Sequence, residues 1–207
     1  TESGTTNSIT SEEWLRKPGS VGKTLPPFEI VVIGEDGEEL GPGEAGQLYF
    51  RDTNGRGIVY HNDPEKTRAA HIRPGVFTLG EVGHVDEDGY VFITDRVSDM
   101  IVSGGVNIYP AEIEAVLAGH AAVADVAVIG APNAEMGEEV KALIVLRDGA
   151  SPPDTADLDR FCRASLAGYK APRSYEFVAD IGRNAMGKVN KRALRRHYWP
   201  TERTIGG

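Results

Sequence analysis

Cysteine is almost missing: Cys162 is the only one in 207 residues. No internal disulfide can form, and a reducing cytoplasm is the expected setting. Long apolar runs are missing too. No stretch approaches the roughly 20 consecutive apolar residues that cross a bilayer, so no transmembrane segment is expected. The opening Thr1-Glu2-Ser3-Gly4 is polar and has no hydrophobic leader stretch. No initiator Met and no capping element precede Thr1, which leads us to expect one piece of a longer chain whose N-terminal portion is missing. There is also no basic excess. The formal net charge is −9 and aromatics are 7% of residues, so nucleic acid is not an expected partner. Internal repeats and low-complexity tracts are absent.

The hydrophobic content of 40% and charged content of 26% fit an ordinary soluble globular protein. The length allows one large or two small domains. The charge is unevenly placed. Residues 1–98 hold 17 acidic and 9 basic groups, whereas residues 99–207 hold 14 and 13. Arg183, Lys188, Lys191, Arg192, Arg195 and Arg196 form a cluster with no acid among them. Such a cluster suits an anionic small molecule, or it is the solvated face of a terminal helix.

Residues 1–25 read as loop. Phe28 to Ile33 is a β-branched run closed by Gly34-Glu35-Asp36-Gly37, and Gly46 to Phe50 is a second strand. Pro64 to about His71 reads as a short helix with Asp63 as its N-cap. Val82 to Ile93 reads as a hairpin around Asp86-Glu87-Asp88-Gly89. After Asp95 the pattern changes. Pro110 to Leu117 places Ile113, Val116 and Leu117 on one helical face. Val123–Ile129, Lys141–Leu146 and Tyr175–Val178 read as strands. Asp154 to about Leu166 and Lys191 to Tyr198 read as helices, the first with Leu158, Phe161, Cys162 and Leu166 on its apolar face. The order α-β-β-α-β-α describes a small α+β domain of about 110 residues behind a mostly-β stretch.

Four segments carry chemical interest. In Phe77-Thr78-Leu79-Gly80-Glu81 a carboxylate follows a Gly turn, where it can accept hydrogen bonds from two vicinal hydroxyls or simply be solvated. In Thr94 to Glu114, Arg96 offers a fork for ribose or phosphate oxygens. Gly104-Gly105 in that segment allows close backbone approach, or is a plain turn. In Arg183 to Lys191, Gly187 precedes Lys188, whose ammonium can offset charge developing on a phosphate or carboxylate. No Gly-rich phosphate loop precedes this Lys, and a surface Lys has the same local spacing. In Leu166 to Arg173, Tyr169 lies beside Lys170 and near Arg173, a group able to stack on a base and pair with a phosphate, or an ordinary loop.

The order and spacing of these segments resemble the adenylate-forming enzymes, which comprise acyl- and aryl-CoA synthetases, peptide-synthetase adenylation domains and beetle luciferases. The resemblance covers essentially the whole chain. Thr1-Glu2-Ser3-Gly4 is similar to the end of the family's Y-G-x-T-E motif. Gly46 to Arg51 followed by Tyr60 to Thr67 is similar to G-x-L-x-x-R … G-Y-x-N-x-P-E-x-T. Phe77 to Glu81 is similar to Y/F-x-T-G-D, Asp95 to Glu114 to the hinge motif, and Arg183 to Lys188 to P-x-x-x-G-K.

The resemblance implies an α+β fold divided three ways. Residues 1–95 would be the β-rich C-terminal part of a large AMP-binding domain, residues 96–98 a hinge, and residues 99–207 a small mobile domain. It implies a ligase that activates a carboxylic acid through an acyl-adenylate and then transfers it to CoA, with ATP, CoA and Mg²⁺ involved. Thr1 would contact ATP phosphates, Glu2 would bind Mg²⁺, and Glu81 and Arg96 would hold the ribose. Lys188 would be catalytic, Ser98 the pivot, and Gly104, Gly105, Tyr169, Lys170 and Arg173 the CoA contacts. The 207 residues alone are expected to be inactive. A carrier-protein-loading adenylation domain and a non-catalytic nucleotide- or partner-binding remnant are the alternatives. Three positions depart from the family pattern: Glu81 where Asp is usual, Ser98 where Asp or Lys is usual, and Gly182-Arg183 in place of Pro-Lys or Pro-Arg. The last predicts a looser catalytic loop.

Overall fold

The computed structural model describes residues 6–199, and its chain divides into two compact units, Thr1–Val97 and Ser98–Gly207. In the first unit, β1 (Asn7–Ser8), α1 (Ser11–Arg16), β2 (Ser20–Thr24), β3 (Phe28–Ile33) and β4 (Gly46–Asp52) come first. They are followed by α2 (Pro64–Ala69), β5 (His71–Arg73), β6 (Val76–Phe77), β7 (Glu81–Val85) and β8 (Val91–Arg96). The strands form an antiparallel sheet in the order β1-β2-β8-β7-β4-β6-β5, with β3 paired to β4. β4 alternates buried and half-buried residues along its length, so Leu48 and Phe50 face the core at the period of two that a pleated strand imposes.

Residues 1–25 are not all loop, which corrects the sequence reading. Thr10 and Glu13 form a reciprocal capping box at the start of α1: the Glu13 amide donates to Thr10 Oγ1, and the Thr10 amide donates to Glu13 Oε2. Each bond satisfies a group that a helix end leaves open. β2 then finds its partner in β8, about seventy residues on, a pairing that local spacing does not announce. The β7–β8 hairpin turns at Asp86 to Gly89 as expected. Asp86 Oδ1 accepts from the amides of Asp88 and Tyr90, and Lys17 clamps both Asp86 and Asp88 at 2.7 and 2.6 Å.

The second unit opens with a 3-10 turn, Val97–Asp99, which begins at the last residue of the first. It continues through β9 (Ile101–Ser103), β10 (Val106–Ile108), α3 (Pro110–Ala118), β11 (Val123–Asn133), β12 (Gly137–Leu146), α4 (Thr155–Arg163), β13 (Ser174–Phe177) and α5 (Lys191–Arg195). β9 to β12 are antiparallel in the order β10-β9-β12-β11, while β13 pairs with β12 in parallel. The fold is α+β. Ile113 and Leu117 of α3, Leu158 and Cys162 of α4, and Ile144 of β12 are fully buried in one core. Truncating a side chain such as Leu158 to Ala would cost about 2–5 kcal/mol.

Three sequence expectations change here. The β9–β10 hairpin precedes α3 and was not predicted. α5 ends at Arg195, earlier than Tyr198. Phe161 is 36% exposed, set edge-on to the His120 ring at 5.0 Å, because Leu158 and Cys162 alone fill the buried face of α4. No helix among the described residues is long and apolar enough to cross a membrane.

Candidate functional site

Glu81 and Arg96 are directly opposite one another on β7 and β8, so the antiparallel register sets a carboxylate and a guanidinium on one sheet face. The turn ahead of Glu81 is built by Thr78. Its buried hydroxyl donates to the Leu48 carbonyl at 2.8 Å and accepts from the Gly80 amide at 3.0 Å. Gly80 takes φ +89°, a conformation that an L side chain resists. Glu81 lines a cleft of about 380 Å³ whose walls include Ile30, Leu48, Phe50 and Leu79. Its Oε2 is buried and has no hydrogen-bond partner among the described residues. A buried carboxylate oxygen without a partner calls for a donor. Thr1 and Glu2 lie outside the described residues, and among the described residues no group of three or more His, Cys, Asp or Glu is placed to hold a metal.

In the second unit, Ser98 sits in the opening 3-10 turn, and its carbonyl accepts from Arg195 Nη2 at 2.9 Å. Gly104 and Gly105 are the two central residues of the β9–β10 hairpin, at φ +58° and +80°. A two-residue hairpin with both central φ angles positive is the geometry that favours glycine. The two are not equivalent. A Cβ on Gly104 would meet Met136 Sδ at 2.8 Å, whereas one on Gly105 would meet nothing within 4 Å. Gly105 therefore faces open space.

Tyr169 and Arg173 are exposed and border a cleft of about 400 Å³ shared with Asp159, Arg163 and Pro172. Lys170 is half-buried. Its Nζ is 2.6 Å from Glu112 Oε2, so this cation is already paired within the unit. Arg163, which sequence reasoning did not single out, lines the same cleft and bonds Asp159 at 2.7 Å. Its only sequence signal was the i,i+4 spacing from Asp159.

Lys188 is exposed and stands near the tip of a tight hairpin that Arg183 and Val189 close with a single antiparallel bridge. Asn184 organises the turn. Its amide donates to the Lys188 carbonyl at 2.9 Å, and its Oδ1 accepts from the amides of Met186 and Lys188 at 2.9 and 3.0 Å. Val189 packs on the cluster of Ala127, Ile129, Leu143 and Ile181. Lys191 follows, paired with Glu114 at 2.8 Å with only 10% of its side chain exposed. The expectation of a loose loop after Gly182 does not hold. Arg183 donates Nε and Nη2 to the two carboxylate oxygens of Asp125 at 2.6 and 2.7 Å, and Nη1 to the Gly187 carbonyl at 2.6 Å. These bonds hold the Asp125 carboxyl below the usual carboxylate range and push the Arg183 guanidinium up.

Residues 112–188 match the family described as AMP-binding enzyme C-terminal domain. The chain is 43% identical over 199 residues to the 2-succinylbenzoate–CoA ligase of Geobacillus kaustophilus, covering 96% of itself and 40% of that protein. It is 41% identical to the long-chain-fatty-acid–CoA ligase of Bacillus subtilis, covering 86% of itself and 31% of that protein. Among solved structures it resembles the o-succinylbenzoate CoA synthetase MenE of Bacillus subtilis in complex with the acyl-adenylate intermediate OSB-AMP. That match has a TM-score of 0.79 at 33% identity, over 93% of this chain and 38% of the other. The chain belongs to the adenylate-forming superfamily, alongside acyl- and aryl-CoA ligases. It spans 31–40% of the length of these curated relatives.

Proposed function

We propose that the chain is the C-terminal part of an acyl-CoA ligase that works in two half-reactions, with residues 1–95 completing a large domain, 96–98 acting as the hinge and 99–207 moving as the small domain. In the first, a carboxylate oxygen of the acid attacks the α-phosphorus of ATP. The bond from that phosphorus to the bridging oxygen breaks, and pyrophosphate leaves with the electron pair. In the second, the CoA sulfur attacks the acyl carbon, the bond to AMP oxygen breaks, and the thiol proton is lost.

The observation that carries this reading is the Lys188 hairpin, which holds the lysine's backbone on both sides while leaving its side chain exposed. An ammonium presented in that way stabilises charge that develops on the carboxylate and α-phosphate without acting as a base. Glu81 accepts from the ribose hydroxyls through an oxygen that otherwise lacks a donor, and Arg96 stands beside it. Ser98 is the pivot about which the second unit turns between the two half-reactions. Gly105 and Gly104 then border the path of the pantetheine arm, while Tyr169, Lys170 and Arg173 meet the nucleotide of CoA. Thr1 and Glu2 belong to the phosphate end, where Mg²⁺ accompanies ATP as part of the substrate. The acid itself is selected by sequence beyond these 207 residues, since relatives named for a succinylbenzoate and for long-chain fatty acids match the same stretch.

Lys188→Ala in the full-length enzyme tests this reading. Adenylation, followed by pyrophosphate exchange, should be abolished, while thioester formation from supplied acyl-adenylate is largely kept. An equal fall in both half-reactions would remove Lys188 from its role. The 207 residues alone should show no pyrophosphate exchange, and exchange by them would overturn the need for a longer chain.

A further inference from the structure

The peptide unit between Gly187 and Lys188 has both of its polar groups bonded to side chains. Its carbonyl accepts from Arg183 Nη1 at 2.6 Å, and its N–H donates to Asn184 Oδ1 at 3.0 Å. This matters because Gly187, at φ +76°, is a residue whose backbone has alternatives. A glycine can change its φ and ψ at low cost, and a change in ψ at Gly187 would redirect the Cα–Cβ bond of Lys188. Asn184 is itself part of the hairpin and travels with it. Arg183 instead connects the peptide to something outside the hairpin, the carboxylate of Asp125 on β11, 58 residues away in sequence.

Asp125 owes its direction to an irregularity in the sheet. β11 runs in register with β12 from Asp125 to Asn133, but the register shifts between Val123 and Asp125. A bulge of this kind places two residues against one and re-aims the side chain beside it. The Val126 amide donates to Asp125 Oδ1 at 2.9 Å, which fixes the carboxylate further. The bulge, the carboxylate, the guanidinium fork and the peptide before Lys188 thus form one continuous chain of bonds. Stability alone is a weak reason for it. The Arg183 and Asp125 side chains are 44% and 31% exposed, and pairs of that exposure contribute at most about 1 kcal/mol. What a bidentate fork supplies is direction.

Given the reading of Lys188 above, we propose that Arg183 and Asp125 are positioning residues for the adenylation half-reaction, holding the Gly187–Lys188 peptide so that the Lys188 ammonium reaches the α-phosphate. Neither touches substrate. Arg183→Lys keeps the charge but loses the fork, and Asp125→Asn keeps the shape but loses the charge.

In the full-length enzyme each variant should lower the kcat of adenylation by about 10- to 100-fold, the scale of a displacement near 1 Å. KM for ATP and for the acid should stay within about twofold, and thioester formation from supplied acyl-adenylate should be unchanged. Combining the two substitutions should add little to either alone, because they break one interaction. Hydrogen exchange at the Lys188 amide should quicken in both variants while the β11–β12 ladder keeps its protection. Equal losses in both half-reactions, loss of ladder protection, or an adenylation kcat within twofold of the parent would each overturn the proposal. Lys188→Ala run in parallel separates the two levels. If it spares adenylation, the underlying reading fails; if it abolishes adenylation while Arg183→Lys changes nothing, only the positioning role fails.

Discussion

Arg195 Nη2 donates to the carbonyl of Ser98 at 2.9 Å across 97 residues of sequence, and its guanidinium also lies 3.5 Å from Asp99 Oδ1. The side chain is 10% exposed, and Nη1 is buried without a hydrogen-bond partner among the described residues. The first and last described elements of the second unit are therefore tied together at Ser98. On the proposed reading, a pivot at Ser98 with its carbonyl held to the second unit would turn through the bonds on its other side. Arg195→Met should lower the unfolding free energy of that unit by about 1–3 kcal/mol, since a charged donor is removed and a carbonyl loses its partner. The urea midpoint is the measurement, and an unchanged midpoint would mean that the bond contributes nothing net.

Gly104 and Gly105 should respond differently to the same substitution. Gly104→Ala drives a methyl against Met136 Sδ, and Gly105→Ala meets open space, although both pay for a positive φ. The strain alone is about 1–2 kcal/mol, so thermal stability should fall more at Gly104. Gly105→Leu extends into the open side and should slow thioester formation while adenylation continues. Normal thioester formation in that variant would take Gly105 off the pantetheine path.

The cleft around Tyr169 makes an ordered prediction. Tyr169→Ala and Arg173→Ala should each raise KM for CoA about tenfold without raising KM for ATP, the effect of losing one charged or stacked contact. Lys170→Ala should do less, because Lys170 is already committed to Glu112. Steady-state kinetics with CoA varied gives the order, and a larger effect at Lys170 would show that it leaves Glu112 when CoA binds.

Acid should weaken the Asp125–Arg183 fork in a definite direction. The Asp125 carboxyl is held below its ordinary value of 3.8 chiefly by the Arg183 bonds, with burial opposing. A lowered folded pKa means that the stabilisation is present above that ordinary value and is lost as the pH falls from there through the lowered one. The difference in unfolding free energy between parent and Asp125→Asn should hold level from about pH 7 to about pH 5 and shrink below about pH 4. A difference that grows on acidification would contradict the sign.

The elements that carry their own period were legible in the sequence. Ile113 and Leu117 announce α3 through helical spacing, and both are fully buried. Pro64 and Asp63 announce α2, and the Asp63 carboxylate does accept from the Lys66 amide. β9 and β10 were illegible because three residues are too few to show an alternation, and only the two glycines between them gave a sign. The candidate site could be proposed from the family resemblance as a set of residues, and not as a geometry. Lys188 could be proposed from the resemblance of Arg183 to Lys188 to the family motif, but the partner of Arg183 could not, since Asp125 lies beside a bulge that depends on β12. The same holds for Arg195 and Ser98, which meet only when the unit closes.

Cys162 is fully buried, next to Tyr175, and burial pushes its thiol up, away from the reactive thiolate form. As the single cysteine of these residues, it leaves them chemically silent toward maleimides and spin-label reagents at neutral pH. A new thiol at exposed Val59 in the first unit, and another at exposed Ala164 in the second, would then be the only sites in this stretch to take a probe. Distances between the two labels, with nucleotide and with CoA, would show directly whether the second unit swings about Ser98.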